Sequence, residues 1–204
     1  MLRLTTALCL LSPAVASAQC LTAEALDSGI TIEYGSGSVS YLTRNADGTQ
    51  VDSYLDDRGY KSYGQTNIFQ SVYGAFPLQD TTHYADSWEG LTSSKISYNF
   101  ELPAADALVP GARGAGQATV ESDIFDPRTE EFGWSVYESA PLVVGDCSYR
   151  AVKVFTTIFS PFTGMAFRSV IYLPELGIGL QTANTKMRYP VTNADITGLS
   201  ITAP

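Results

Sequence analysis

Carboxylates are the reactive side chains that the sequence supplies in number, and they cluster at two predicted turns. Asp56 and Asp57 stand side by side at the first turn. Five more surround the second turn, namely Glu121, Asp123, Asp126, Glu130 and Glu131. Two carboxylates facing each other across a groove can hydrolyse a glycosidic bond, and several that converge can bind Ca²⁺. Because residue order alone does not bring them together, the sequence favours a solvated acidic rim, with a carboxylate-dependent hydrolase as the alternative.

No other catalytic constellation is complete in the sequence. The single histidine, His83, falls in a predicted polar loop, and no G-x-S-x-G motif supplies a nucleophile for a Ser-His-Asp triad. One histidine and two paired cysteines do not furnish the ligands of an ordinary zinc site. The glycine-rich stretches 35–38 and 111–116 resemble phosphate-binding loops, but neither precedes a predicted helix. We therefore predict no catalytic residue, no metal ligand and no cofactor.

Aromatic residues are abundant, with 12 Tyr, 9 Phe and 2 Trp. A curved sheet lined by such side chains could enclose an apolar ligand. The alternative is that the rings fill the core, where their large buried area is useful. The sequence favours this second interpretation and leaves the first open.

The first eighteen residues have the pattern of an export signal. Met1–Arg3 is a short basic region, residues 4–11 are mainly apolar, and Ala16–Ala18 forms an A-x-A cleavage pattern. This pattern predicts a signal peptide over residues 1–18, followed by a single antiparallel β domain over residues 19–204. The protein is therefore expected outside the cytoplasm.

Cysteine use and charge agree with export. With Cys9 inside the predicted signal peptide, Cys20 and Cys147 remain, and in an oxidising compartment they are expected to form one disulfide. The formal net charge of −9 has the wrong sign for nucleic acid or anionic lipid head groups. No later stretch approaches the ~18 unbroken apolar residues of a membrane-spanning helix. We expect neither a nucleic-acid partner nor stable membrane insertion.

Three consecutive strands are predicted in the C-terminal half, over residues 147–159, 165–173 and 178–183. The middle strand alternates with a period of two, and four large apolar side chains share one of its faces: Met165, Phe167, Ile171 and Leu173. Pro174 is expected at position i+1 of a type I turn, and Gly177 at position i+3. We expect this meander at the centre of a larger sheet.

Short strands and turn residues continue through the rest of the chain. Further strands are predicted over residues 29–34, 38–44, 49–56, 60–63, 96–102, 117–125, 132–138 and 196–201. Residues 68–76 fit either a helix or a strand, whereas residues 78–94, 104–116 and 126–130 are interpreted as connections. One short helix is predicted over residues 22–28. The fold class is therefore mainly β: one antiparallel meander forming a curved sheet, half-barrel or barrel, with a short N-terminal helix.

The signal peptide, the meandering strands and the segment Tyr172-Leu-Pro-Glu-Leu-Gly177 together resemble bacterial periplasmic proteins with a LolA/LolB-like half-barrel. The resemblance implies a Gram-negative periplasmic location and a curved sheet, closed by helices, that holds a lipid or acyl chain. The sequence departs from that pattern because only one short helix is predicted. The expected function is that of an exported non-catalytic β-protein that binds an apolar ligand or a cell-envelope partner. A structural or adhesion module is a further alternative.

Overall fold

The computed structural model is dominated by one long antiparallel sheet. It describes residues 20–35, 37, 39–55, 66–83, 91–123, 125–160, 164–184 and 195–202. Within these ranges lie helix α1 (Ala25–Ser28), a 3-10 turn (Ala105–Ala107) and fourteen strands. The strands are β1 (Ile30–Tyr34), β2 (Val39–Arg44), β3 (Gln50–Leu55), β4 (Thr66–Val72), β5 (Phe76–His83), β6 (Leu91–Tyr98), β7 (Arg113–Ser122), β8 (Phe125–Glu138), β9 (Leu142–Val144), β10 (Cys147–Tyr149), β11 (Val152–Ser160), β12 (Gly164–Leu173), β13 (Ile178–Asn184) and β14 (Ile196–Ile201).

Twelve of these strands form a single curved sheet in the order β13-β12-β11-β8-β7-β6-β5-β4-β3-β2-β1-β14. Sequential strands are neighbours almost throughout, while β9 and β10 form a separate hairpin and β14 returns to pair with β1. The sheet is not closed into a barrel. The mainly β, antiparallel and curved architecture predicted from the sequence is confirmed. The predicted signal peptide over residues 1–18 lies outside the described residues.

The C-terminal meander lies at an edge of the sheet, so its predicted central position is wrong. β13 is the last strand in the order, and β12 is the next one in. Residues 168–173 of β12 are nevertheless buried on both faces, with Val170 and Tyr172 on one face and Ile171 and Leu173 on the other. An edge region can be buried on both faces only if another part of the protein covers each face.

Two core clusters cover β12, one on each side. Ile171 and Leu173 belong to one cluster. It also contains Ile30, Ile32 and Leu42 from the opposite end of the sheet. Val170 and Tyr172 belong to a second cluster, which includes Phe76 and Phe132. The two ends of the sheet therefore overlap, and burial of each large side chain in the overlap contributes roughly 1.5–3 kcal/mol of transfer free energy.

The backbone edge of β13, which pairs with no further strand among the described residues, is hydrogen-bonded by a side chain of β3. Gln50, which is buried, donates from Nε2 to the carbonyl oxygen of Gly179 at 2.8 Å and accepts the Gly179 N–H at Oε1 at 3.0 Å. One carboxamide thus satisfies both polar groups that a neighbouring strand would otherwise pair. Gln50 joins the two ends of the curled sheet.

Replacing Gln50 with leucine should lower the free energy of unfolding by about 2–3 kcal/mol, because the buried N–H and C=O of Gly179 lose their partners. Chemical denaturation of the two proteins measures this difference. Gln79→Leu is the matched control, since within the described ranges the exposed Gln79 amide bonds to the side chains of Thr81 and Ser93 alone. Equal losses in the two variants would contradict the role assigned to Gln50.

Two segments interpreted as connections contain strands in their described residues. Residues 78–94 contain most of β5 and the start of β6, whose Thr81 pairs with Ser93. β5 and the first residues of β6 were missed because small polar residues hide their alternation, whereas residues 96–98 of β6 lie within the strand predicted over residues 96–102. Residues 126–130 belong to the long strand β8, where Pro127 is accommodated next to a register shift opposite β7.

The connection predicted over residues 104–116 ends at residue 112, because β7 begins at Arg113. Two glycines explain why the start of β7 was not predicted. A Cβ at Gly114 would lie 2.6 Å from Nε1 of Trp134, and one at Gly116 would collide with the ring of Phe100. The two glycines therefore leave space for aromatic rings inside a strand and are not signs of a flexible connection.

The N-terminal segment is fastened to the domain by the disulfide that the cysteine count predicts. Cys20 and Cys147 are bonded, with their Cα atoms 5.5 Å apart. The hydroxyl of Tyr149 accepts the Leu21 N–H at 2.9 Å, which holds the same segment a second time. The strand predicted over residues 147–159 is interrupted between β10 and β11, at residues 150–151.

Short-range signals mark the helix and the last hairpin. α1 is shorter than the predicted helix over residues 22–28, but it ends as expected at Gly29, whose φ is 90°. In the turn after β12, Leu176 rather than Gly177 occupies position i+3, since its N–H donates to Leu173 O at 3.1 Å. Gly177 follows with a φ of 68°, a left-handed conformation that glycine adopts readily.

Candidate functional site on the outer face

The clustered carboxylates do not converge on a common centre in the described part of the chain. Glu130 is buried on the inner face, where it forms an ion pair with Arg128, whereas Glu131 is exposed on the opposite face. Asp123 accepts the Ser93 N–H at 2.8 Å, and Asp126 is exposed. Asp123, Asp126 and Glu131 agree with an acidic rim, whereas the buried Glu130 departs from it, and none of these positions supports a pair of facing carboxylates.

The structure describes some of the other residues that the sequence analysis considered for catalysis or metal binding. Asp56 and Asp57 lie outside the described residues. His83 ends β5 with its backbone paired to Leu91, so it belongs to a strand rather than to the predicted loop, while its side chain lies outside the description. Among the described residues, no group of three or more His, Cys, Asp or Glu side chains could hold a metal ion.

Inside the curl, aromatic side chains pack against one another. The Phe76 ring meets Trp134 edge-on at a centroid distance of 6.0 Å, and Tyr98 meets Phe132 in the same way at 4.9 Å. The Tyr98 hydroxyl donates to Pro77 O at 2.8 Å, and burial raises the pKa of this phenol, which keeps it protonated. These described rings fill a core, as the favoured interpretation of the aromatic content predicts.

A groove of about 540 Å³ lies on the outer face, the face opposite Val170 and Tyr172. Its walls come from outward-facing residues of β7, β8 and β11, which the strand register places side by side. We call this the outer groove and define it by Arg113, Gly133, Ser135, Tyr137, Phe155 and Thr157. A second depression of about 480 Å³ adjoins it and shares Arg113, Ser135 and Tyr137.

The floor of the outer groove is open because small residues meet there. Gly133 pairs with Ala115 on one side and with Thr157 on the other. A Cβ at Gly133 would lie 3.1 Å from the Thr157 hydroxyl and would project into the space above the backbone. The absence of this side chain lets a bound molecule approach the sheet closely.

Large apolar side chains continue from the groove towards the hairpin between β11 and β12. The Phe155 and Phe167 rings stack at a centroid distance of 5.6 Å with an interplanar angle of 22°. Tyr137 is 54% exposed, Phe159 49% and Met165 63%. Exposed apolar groups that adjoin one another on one face mark binding surfaces more often than scattered ones do.

Two cations flank this surface. Arg113 lines the groove and is the register partner of Ser135, and Lys153 is the register partner of Tyr137. Neither cation forms an ion pair with another residue in the described ranges. The Ser135 hydroxyl donates to the Tyr137 hydroxyl at 3.1 Å, which orients one polar group beside the aromatic ring.

Sequence reasoning did not identify this groove. The faces of β12 were assigned correctly, but only Ile171 and Leu173 of the predicted apolar face are buried, while Met165 is exposed. One feature of the sequence could have indicated an apolar outer surface. No charged residue occurs between Lys153 and Arg168, although the strands in this stretch place side chains on both faces of the sheet.

The fold and site define a mainly β protein with a curled antiparallel sheet and an aromatic groove on its outer face. Comparison with protein-family models, curated proteins and solved structures finds no match to this chain. None of the helices in the described part of the chain is long and apolar enough to cross a membrane.

Proposed function

We propose that this chain is an exported, non-catalytic binding protein and that the outer groove is its binding site. The observation that carries the proposal is the open groove over Gly133, bordered by Tyr137 and Phe155. A disulfide between Cys20 and Cys147 supports export, because such bonds persist in oxidising compartments. A signal peptide over residues 1–18 and a periplasmic location are parts of the same proposal.

The bound molecule is proposed to be small and partly apolar. The groove has the size of a small-molecule site, and its aromatic side chains supply apolar contact area. This differs from the arrangement that the LolA/LolB-like resemblance implies, in which an acyl chain lies within the concave face. A cell-envelope protein that covers the more extended surface up to Phe159 and Met165 is the alternative partner.

Replacing Tyr137 with alanine should weaken binding at the outer groove about tenfold, because an aromatic contact and its buried area are lost. Native mass spectrometry of protein purified from an oxidising compartment, compared with its denatured mass, detects a retained ligand. The fraction that retains the added mass should fall in the Tyr137 variant.

Tyr41→Ala is the matched control, since Tyr41 is 42% exposed on β2, away from the groove. The Tyr41 variant should retain the ligand as the wild-type protein does. Equal retention by the Tyr41 and Tyr137 variants would reject the outer groove as the binding site.

A further inference from the structure

The outer groove combines aromatic rings with hydroxyl groups on one face of the sheet. Ser135 and Tyr137 are two residues apart on β8, and Phe155 and Thr157 are two residues apart on β11, so all four side chains project outward. Phe155 is the register partner of Ser135, and Thr157 is the register partner of Gly133. Apolar and hydroxyl-bearing positions therefore adjoin one another around an open floor.

We propose that the outer groove binds a saccharide that carries an anionic substituent. This inference rests on the proposed function and names the chemical class of the ligand. A pyranose ring has an apolar C–H face, which packs against an aromatic ring, and a rim of hydroxyls, which exchange hydrogen bonds with protein hydroxyls. The side chains of Tyr137, Phe155 and Thr157 match these two parts of the sugar.

An acyl chain is a poorer match to the same groove. The Ser135 and Thr157 hydroxyls already donate to Tyr137 Oη and Gly133 O, but an acyl chain would cover the Tyr137 hydroxyl without offering an acceptor for its proton, and burial of such a donor is unfavourable. The groove is also open to solvent, whereas an acyl chain gains most of its binding free energy from complete burial. A saccharide keeps its outer hydroxyls in water and needs no enclosure.

The anionic substituent follows from the charges around the groove. Arg113 lines one end, and Lys153 stands beside Tyr137 on the neighbouring strand. Neither cation has an ion-pair partner among the described residues, and both lie beside Ser135 and Tyr137. The carboxylates nearby are Glu131, which pairs with Phe159 and Gln117 beyond the Gly133 end of the groove, and Glu138, which lines the adjoining depression. A guanidinium group binds a carboxylate, sulfate or phosphate through paired hydrogen bonds, so Arg113 is assigned to this substituent.

The test is calorimetric titration with four probes: a galacturonate hexamer, a chondroitin sulfate hexasaccharide, neutral chitohexaose, and vesicles of phosphatidylcholine and phosphatidylglycerol. We expect at least one of the two anionic saccharides to bind more tightly than chitohexaose. Arg113→Gln should weaken that binding about tenfold. Lys95→Gln is the control, because it removes an exposed cation from β6 outside the groove and should leave binding unchanged.

A second variant tests the groove independently of charge. Gly133→Val fills the floor and should abolish saccharide binding, and its unfolding midpoint shows whether the protein remains folded. Failure of both anionic saccharides to bind, or binding that Arg113→Gln leaves intact, would overturn the inference. If vesicles or a co-purified molecule instead bind in a manner that depends on Tyr137, the proposed function stands and the saccharide is wrong. Binding that is insensitive to Tyr137 and Gly133 would reject both.

Discussion

Replacing Gly74 with alanine is expected to destabilise the protein by about 3 kcal/mol, combining an unfavourable backbone conformation with a steric collision. Gly74 lies in the turn between β4 and β5 with a φ of 70°. A Cβ at this position would lie 2.5 Å from the carbonyl oxygen of Gly179 and 2.6 Å from its Cα. Because both contacts are with backbone, no rotamer change relieves them, and β13 must move away from the turn between β4 and β5.

Gly48→Ala is the control that separates the two causes. Gly48 has a φ of 82°, but a Cβ there would meet no atom within 4 Å. It should therefore cost only about 1 kcal/mol, the cost of a left-handed conformation alone. Urea denaturation of both variants and the wild-type protein gives the comparison. Equal losses at positions 74 and 48 would show that the contact between Gly74 and Gly179 does not hold the sheet together.

Removing the disulfide between Cys20 and Cys147 should have the largest effect on stability. The bond closes a loop with a sequence separation of 127 residues, for which the chain-entropy account gives about 4–5 kcal/mol. A domain of ordinary stability retains only a small margin after such a loss. We expect the double variant Cys20→Ala, Cys147→Ala to unfold at a much lower urea concentration than the wild-type protein.

Reductant provides the control for the disulfide experiment. It should lower the urea midpoint of the wild-type protein towards that of the double variant and leave the double variant unchanged. Alanine is chosen because Cys147 is buried, where a small apolar residue is tolerated. Identical midpoints for the oxidised wild-type protein and the double variant would exclude a stabilising role for the bond.

Much of the strand content could be predicted from the sequence because alternation is a local property. β12, β13 and β14 lie close to their predicted bounds, and the turn residues between β12 and β13 can be recognised in the sequence. β5 and the first part of β6 were missed because their side chains include Thr81 and Ser93, which are polar and small. Their pairing depends on backbone hydrogen bonds to neighbouring strands, which a single segment does not reveal.

The overlap of the sheet ends could not be predicted, since it depends on contacts between distant residues. Gln50 and Gly179 are 129 positions apart, and neither residue type signals that one completes the edge of the other's strand. In the sequence Gly74 is indistinguishable from an ordinary turn glycine. Its lack of a side chain also permits close packing against Gly179 of β13. Such long-range backbone contacts become visible only when the register of all strands is known.

The outer groove was missed for a related reason. Arg113, Gly133 and Phe155 are well separated in sequence and become neighbours only through the pairing of β7, β8 and β11. The carboxylate cluster shows the same dependence on strand geometry, since Glu130 and Glu131 are adjacent in sequence but lie on opposite faces of β8. The order of residues within one strand predicts which side chains share a face. It does not predict which exposed faces of different strands combine into a site.

The most direct test of the proposed binding site is NMR titration of the isotope-labelled protein with the ligand recovered from native mass spectrometry. Amide resonances of Gly133, Ser135 and Tyr137 should shift progressively as ligand is added. The amides of Phe76 and Val170, which lie in the inner core, should remain unchanged. Shifts confined to the inner core, with no response from the three groove residues, would contradict the outer groove as the binding site.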